Sequence, residues 1–128
     1  MTRVLLDTHA FLWWFEDSER LSSGARQAIE TAVEGFLSVA SCWEIAIKVS
    51  RNKLTLAKPI ERVVPEQLAL NGFQLLQIDL DDVARVATLP FHHRDPFDRL
   101  LVAQALNDEL TIVSADPVFK KYGVKHVW

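Results

Sequence analysis

"RVLLDTH", residues 3 to 9, is a short apolar run that stops on a carboxylate, Asp7, within ten residues of the N-terminus. Val4, Leu5 and Leu6 follow one another with no polar residue between them, as in a strand covered on both faces. Similar runs recur at "GFLSVA" (35 to 40), "FQLLQI" (73 to 78), "LTIVSA" (110 to 115) and in "VKHVW" at the end. Between them lie helical patterns at about 10–16, 22–34, 42–51, 60–72, 80–88, 96–107 and 117–121. Strands alternating with helices predict an α/β fold, with a mainly parallel sheet covered on both faces and joined by right-handed crossovers. "RNKLTLAKP", residues 51 to 59, reads as a connection between two helices, and no repeat or linker divides the chain. One domain over residues 1–128 is expected.

Composition narrows the class. With 128 residues, 49% of them hydrophobic, the chain suits one compact core. Its longest apolar run, "AFLWWF" at 10 to 15, is well short of the roughly 20 residues a membrane span needs. Asp7 and His9 interrupt what would be the apolar segment of a signal peptide. A soluble, cytoplasmic protein with no membrane partner is expected. Cys42 is the single cysteine, so neither an internal disulfide nor a thiolate zinc cage can form, and any metal must be held by oxygen or imidazole. The net charge of -3 does not suggest a nucleic-acid binder, yet Lys48, Arg51, Lys53, Lys58 and Arg62 cluster against one acid, Glu61, while the N-terminal third is acidic. Charge alone fits a basic patch beside an acidic pocket and a solvated surface equally well.

Ligands of open parallel sheets gather outside the carboxyl ends of the strands, where the next helices begin. Asp7 ends the first strand; Glu44 is expected in the first turn of the helix after the second, and Asp116 follows the fourth. Asp98 falls in the first turn of the helix beginning near Pro96. Each acid also has a local explanation. Ser41 and Glu44 are spaced as a capping box, Asp95-Pro96 and Asp116-Pro117 are N-cap pairs, and Asp7 or Thr8 can cap the next helix. Four converging carboxylates, however, repel. A pair about 4 Å apart interacts by on the order of 4 kcal/mol at an effective dielectric near 20, against about 1 kcal/mol for one cap. Shared protons or a divalent cation must offset that repulsion, and hard oxygens suit Mg²⁺ or Mn²⁺. Such a site suits hydrolysis of a phosphodiester, with a carboxylate such as Asp98 or Asp116 handling the attacking water.

The stretches "LLDTHAFLWW" (5 to 14), "SVASCWEIAIK" (38 to 48) with "NKLTL" (52 to 56), "LPFHHRDPFDRLLVAQA" (89 to 105) and "IVSADPVFKKY" (112 to 122) carry a resemblance. In this order, across essentially the whole chain, they resemble the PIN-domain ribonucleases and, within them, the VapC-like toxins of toxin-antitoxin pairs. The resemblance implies a three-layer α/β/α sandwich and Mg²⁺-dependent endoribonuclease activity on an RNA substrate. It implies that Asp7, Glu44, Asp98 and Asp116 are the metal-holding catalytic acids, with Asp95 a cap, and that the chain forms a homodimer and pairs with an antitoxin. The sequence departs from the family pattern in "NKL", where Gly-Lys-Leu is usual, and in Ser114, where Thr is commoner; neither change removes an acid.

Remaining residues favour plainer roles. His92 and His93 read as surface or packing residues in a loop, and Thr8 and Ser114 as local turn formers near the pocket. Trp13, Trp14 and Trp43 suit stacking on RNA, core packing or a protein contact. Lys48 and Arg51 follow Glu44 on one helix face, as an ion pair or as phosphate contacts. The alternative from another class is a silent PIN-type module that binds RNA or protein without cutting, against which the four acids argue. A haloacid-dehalogenase-type phosphatase needs an Asp where His9 stands, and a receiver domain needs a Lys that "TIVSAD" lacks.

Overall fold

A computed structural model describes residues 2–128. The elements are β1 (Arg3–Leu6), α1 (Thr8–Phe15), α2 (Ser23–Thr31), β2 (Glu34–Ser38), α3 (Val39–Ser50) and α4 (Ile60–Asn71). There follow β3 (Phe73–Leu76), α5 (Leu80–Val86), α6 (Pro96–Asp108), β4 (Thr111–Val113), a 3-10 helix (Pro117–Tyr122) and β5 (His126–Val127). The strands form one sheet in the order β3-β2-β1-β4-β5. Every pairing is parallel, with Leu5 opposite Phe36 on one side and Ile112 on the other.

Alternation along the strands sorts the apolar residues into two cores. Val4, Leu6, Leu37 and Val113 face α1 to α4, packing on Phe11, Ile29, Ile45 and Val64. Leu5, Phe36 and Ile112 face the other way, onto Leu101, Val102 and Ala105 of α6 and onto Phe119 and Tyr122. Helices cover both faces of the sheet, as the apolar runs predict, in the three-layer α/β/α sandwich that the resemblance implies. Leu5, Leu6 and Leu37 are fully buried, and truncating one to Ala removes about 2–5 kcal/mol. Gly35 permits the β2–β3 packing, since a Cβ there would lie 2.7 Å from the Phe73 ring. Gly72 ends α4 at φ 68°, in the left-handed region that glycine enters most readily.

One boundary bears on the site. The run "GFLSVA" ends as strand at Ser38, whose hydroxyl accepts from the Ala40 N–H at 3.0 Å and starts α3 at Val39. The expected Ser41–Glu44 capping box is therefore absent, and Glu44 lies in the second turn of α3 rather than the first. No helix among the described residues is long and apolar enough to cross a membrane.

Candidate functional site

The chain leaves β1 for β2 and β3 on one side, then returns through α5 and α6 to β4 on the other. The connections thus diverge between β1 and β4, the position where open parallel sheets leave a crevice at their carboxyl edge. Asp7 and Asp116 flank it. The Asp7 N–H donates to Val113 O at 3.1 Å, while its side chain accepts from the Ala10 N–H at 2.7 Å and caps α1. The buried Ser114 side chain favours the ionised form of this carboxylate. Ser114 in turn accepts from the Asp116 N–H at 3.0 Å, and Asp116 caps the 3-10 helix through Oδ1, 2.9 Å from the Val118 N. Ser114 thus makes the local turn bond expected of it.

Glu44 arrives from α3. Thr8, only 2% exposed, donates to Glu44 Oε1 at 2.6 Å and lies 3.0 Å from the buried Ser41 hydroxyl. On its outer side Glu44 meets Lys48 at 3.6 Å, the ion pair expected from their spacing. Asp98 is the third residue of α6, whose start is set by Asp95: Oδ1 accepts from the Phe97 and Asp98 N–H groups at 2.8 and 3.2 Å. Pro96 occupies the first helical position, where its missing N–H is not needed.

His93 joins this cluster. Its Nε2 lies 3.0 Å from Asp98 Oδ2 and 3.6 Å from Asp116 Oδ2, and its Nδ1 accepts from the Asp95 N–H at 3.0 Å. Among the described residues, His93, Asp98 and Asp116 are the metal-ligating types that offer donor atoms within 4.8 Å of one another. The loop carrying His93 is anchored by buried Arg99, which donates to the carbonyls of Pro90, Val86 and Leu89 at 2.8 to 3.3 Å. His92 packs edge-on against Tyr122, the packing role expected of it; His93 departs from that expectation.

Burial is the main cause that pushes the Asp98 carboxyl up to about 8, and the charges of Asp95, Asp7, Glu44 and Asp116 push it further the same way. Asp7 is also raised, chiefly by burial and slightly by Glu44, against the lowering effect of Ser114, the Ala10 N–H and His9. Asp7, Glu44 and Asp116 thus all act on Asp98, although of these acids only Asp98 and Asp116 bring donor atoms within 4.8 Å of each other and of His93. A set of hard oxygens that resists ionisation by itself fits a divalent cation such as Mg²⁺ or Mn²⁺, whose charge would offset that resistance.

Beside the acids runs a groove of about 420 Å³ lined by Lys48, Arg51, Lys53 and Arg94, with Phe97 at one wall. Trp43, 61% exposed, stands edge-on to Phe97 with ring centroids 5.2 Å apart. Trp13 and Trp14 are instead half-buried, against Trp128 and Phe73 respectively. Arg94 was not anticipated from the sequence, because it stands outside the 48–62 basic run and joins it only through folding. His93 was missed for a related reason: its one sequence signal is its position two residues before the Asp95 cap.

Comparison with known proteins agrees with this architecture. The family model for the PIN domain matches residues 4–125. A relative, Ribonuclease VapC22 of Mycobacterium tuberculosis, is 35% identical over 117 residues, covering 91% of this chain and 88% of its own. Among solved structures, DNA-bound VapBC from Salmonella typhimurium superposes with a TM-score of 0.68 at 15% identity, covering 98% of this chain and 97% of that one. A toxin-antitoxin complex from Klebsiella pneumoniae gives 0.59 at 20% identity, covering 88% and 86%.

Proposed function

Because the chain belongs to the PIN domain family, we propose that it is a Mg²⁺-dependent endoribonuclease, the toxin of a toxin-antitoxin pair, built as one domain over residues 1–128. What supports this reading is that Asp98 lies near Asp116 in a cluster of donor atoms at the carboxyl edge of the sheet and feels the charges of Asp7, Glu44 and Asp116. Likeness to a named ribonuclease supports RNA as substrate, and likeness to a toxin-antitoxin complex supports an antitoxin partner.

The four acids would hold Mg²⁺, with Mn²⁺ as substitute. When bound, such an ion lowers the pKa of a coordinated water and neutralises charge on the phosphate. The rest is the work of the side chains. The Thr8 hydroxyl orients Glu44 and the Ala10 N–H orients Asp7, so that these carboxylates need little reorganisation on binding. Asp116, its side chain 48% exposed against 20% for Asp98, is the acid of this pair more open to an incoming water and accepts its proton. A new P–O bond forms as the bond to the departing sugar oxygen breaks, and solvent protonates that oxygen. Lys48, Arg51, Lys53 and Arg94 hold phosphates on either side of the cut, and Trp43 offers an exposed ring to an unpaired base. A homodimer acting in the cytoplasm completes the proposal.

The test is purified protein incubated with total RNA, with and without Mg²⁺, beside Asp7→Ala and Asp98→Ala. Mg²⁺-dependent cleavage lost in both variants is expected. Cleavage that survives EDTA or either substitution refutes the mechanism, and RNA bound but left intact identifies a silent module instead.

A further inference from the structure

We infer that the exposed ring of His9 stacks an unpaired base of the RNA on the side of the acids away from Trp43, so that a substrate strand is held by its bases on both sides of the cut. This rests on the ribonuclease reading above.

The placement follows from the path of the chain. α1 begins at Thr8, directly after Asp7 at the carboxyl end of β1. Successive helical residues are turned by about 100°, so Thr8 and His9 take different directions. Thr8 is buried and donates to Glu44 of α3, the helix that follows β2. His9 instead shares a face with Trp13, one helical turn on, and their ring centroids are 5.6 Å apart. Trp13 in turn meets Trp128, the residue after β5, at 5.7 Å. Because β2 and β5 lie on opposite sides of β1, the row His9, Trp13, Trp128 stands across Asp7 from Glu44 and Trp43.

This row has the build of a stacking platform. Trp13 and Trp128 are half-buried and pack on the core under α1, which fixes them, while His9 is exposed. A ring already resting on a fixed ring loses little freedom when a base covers it. Histidine is one of the side chains on which unpaired bases stack, and the contact uses only its π face, whether or not the imidazole carries a proton. A protein partner suits the place less. Among the described residues the exposed large hydrophobics include Leu75, Leu80 and Val83, on β3 and α5, and none lies on α1 or after β5. One exposed ring beside the acids fits one base rather than the apolar face of a helix.

Fluorescence anisotropy, in EDTA and again with Ca²⁺, tests the inference with two single-stranded probes of equal charge: oligouridylate, and a ribose-phosphate oligomer of the same length without bases. Thermal melts confirm that each variant is folded. His9→Ala should bind oligouridylate about 5- to 20-fold more weakly than wild type and the baseless oligomer equally well. His9→Tyr, which keeps a ring, should restore the loss, whereas His9→Lys, which keeps only a cation, should not. Duplex RNA, whose bases are already stacked in an A-form helix, should bind wild type and His9→Ala alike. Equal affinity of wild type and His9→Ala for oligouridylate overturns the inference. An equal loss on both oligomers, or rescue by lysine as complete as by tyrosine, also overturns it and makes His9 a phosphate contact instead. Failure of wild type to bind any of these oligomers in either condition counts against the ribonuclease reading itself and removes the subsite with it.

Discussion

Replacing Asp98 by Asn should make the metal-free protein more stable while abolishing its activity. The carboxyl of Asp98 is pushed from 3.8 up to about 8, by burial first and by four neighbouring acids second. A folded-state value above the unfolded one means that the stability is fully present below 3.8 and is lost as pH rises through about 8. With about 1.4 kcal/mol per pKa unit, the ionisable group destabilises the metal-free fold at pH 7 by up to about 4 kcal/mol relative to a neutral isostere. The solvent-exposed fifth of the side chain screens part of this, leaving roughly 2–3 kcal/mol at pH 7 and about 1 kcal/mol at pH 5. The opposing attraction of an N-terminal-turn acid for the helix dipole is worth only about 0.3–1 kcal/mol and does not reverse the sign. In EDTA at pH 7, Asp98→Asn should therefore melt roughly 10 °C above wild type, with a gap that shrinks at pH 5. Adding Mg²⁺ should raise the wild-type melting temperature and leave the variant unmoved. A variant that melts no higher than wild type in EDTA, or a gap independent of pH, would refute the electrostatic account of the site.

Three further outcomes follow from the same geometry. Asp7→Asn keeps a good N-cap for α1, so its stability should stay within about 1 kcal/mol of wild type, while RNA cleavage falls on the order of a hundredfold or more; an active Asp7→Asn would remove Asp7 from the metal site. Since the Asp98 carboxyl is pushed up to about 8, Mg²⁺ binding at pH 7 should release close to one proton. Calorimetry in two buffers of different ionisation enthalpy measures that release, and affinity should rise about tenfold per pH unit up to about pH 8. The double variant Lys53→Glu with Arg94→Glu should raise KM for RNA and flatten its salt dependence, with kcat and melting temperature unchanged; a fall in kcat alone would place the substrate elsewhere.

The layered fold was legible because the central strands β1, β2 and β4 are short and bury apolar residues on both faces, a pattern that few other environments explain. "VLLD" and "LTIVSA" needed only trimming at their ends, and Pro96 and Pro117 mark helix starts that the structure keeps. Glu44 was expected in the first turn of its helix and lies in the second, because Ser38 and Ser41 are both plausible caps in "LSVASCWE". The choice was made by the end of β2, which delivers Ser38 to the Ala40 N–H. His93 was illegible for a deeper reason. Its partners Asp98 and Asp116 lie five and twenty-three residues further on, and no periodicity of "PFHHRD" distinguishes a histidine turned toward them from His92, turned toward Tyr122.

Capping and catalysis are not rival explanations for all four acids. A carboxylate has two oxygens, and Asp116 shows how they divide: Oδ1 caps the 3-10 helix while Oδ2 faces the crevice. Asp7 likewise caps α1 through Oδ1, which leaves Oδ2 free of that bond. For these two, local sequence grammar is satisfied whether or not the protein has an activity, so their presence says little about function. Glu44 and Asp98 differ. Neither caps a helix, Glu44 sits in the second turn of α3 beneath a buried threonine, and Asp98 is held where ionisation is opposed by burial and four neighbouring charges. A chain selected for stability alone would gain from a neutral residue at Asp98, and destabilising groups retained in a well-packed fold are the usual mark of function. Asp98→Asn is for this reason the sharpest test: it asks whether the stability sacrificed at one residue is the same electrostatic quantity that draws in the metal.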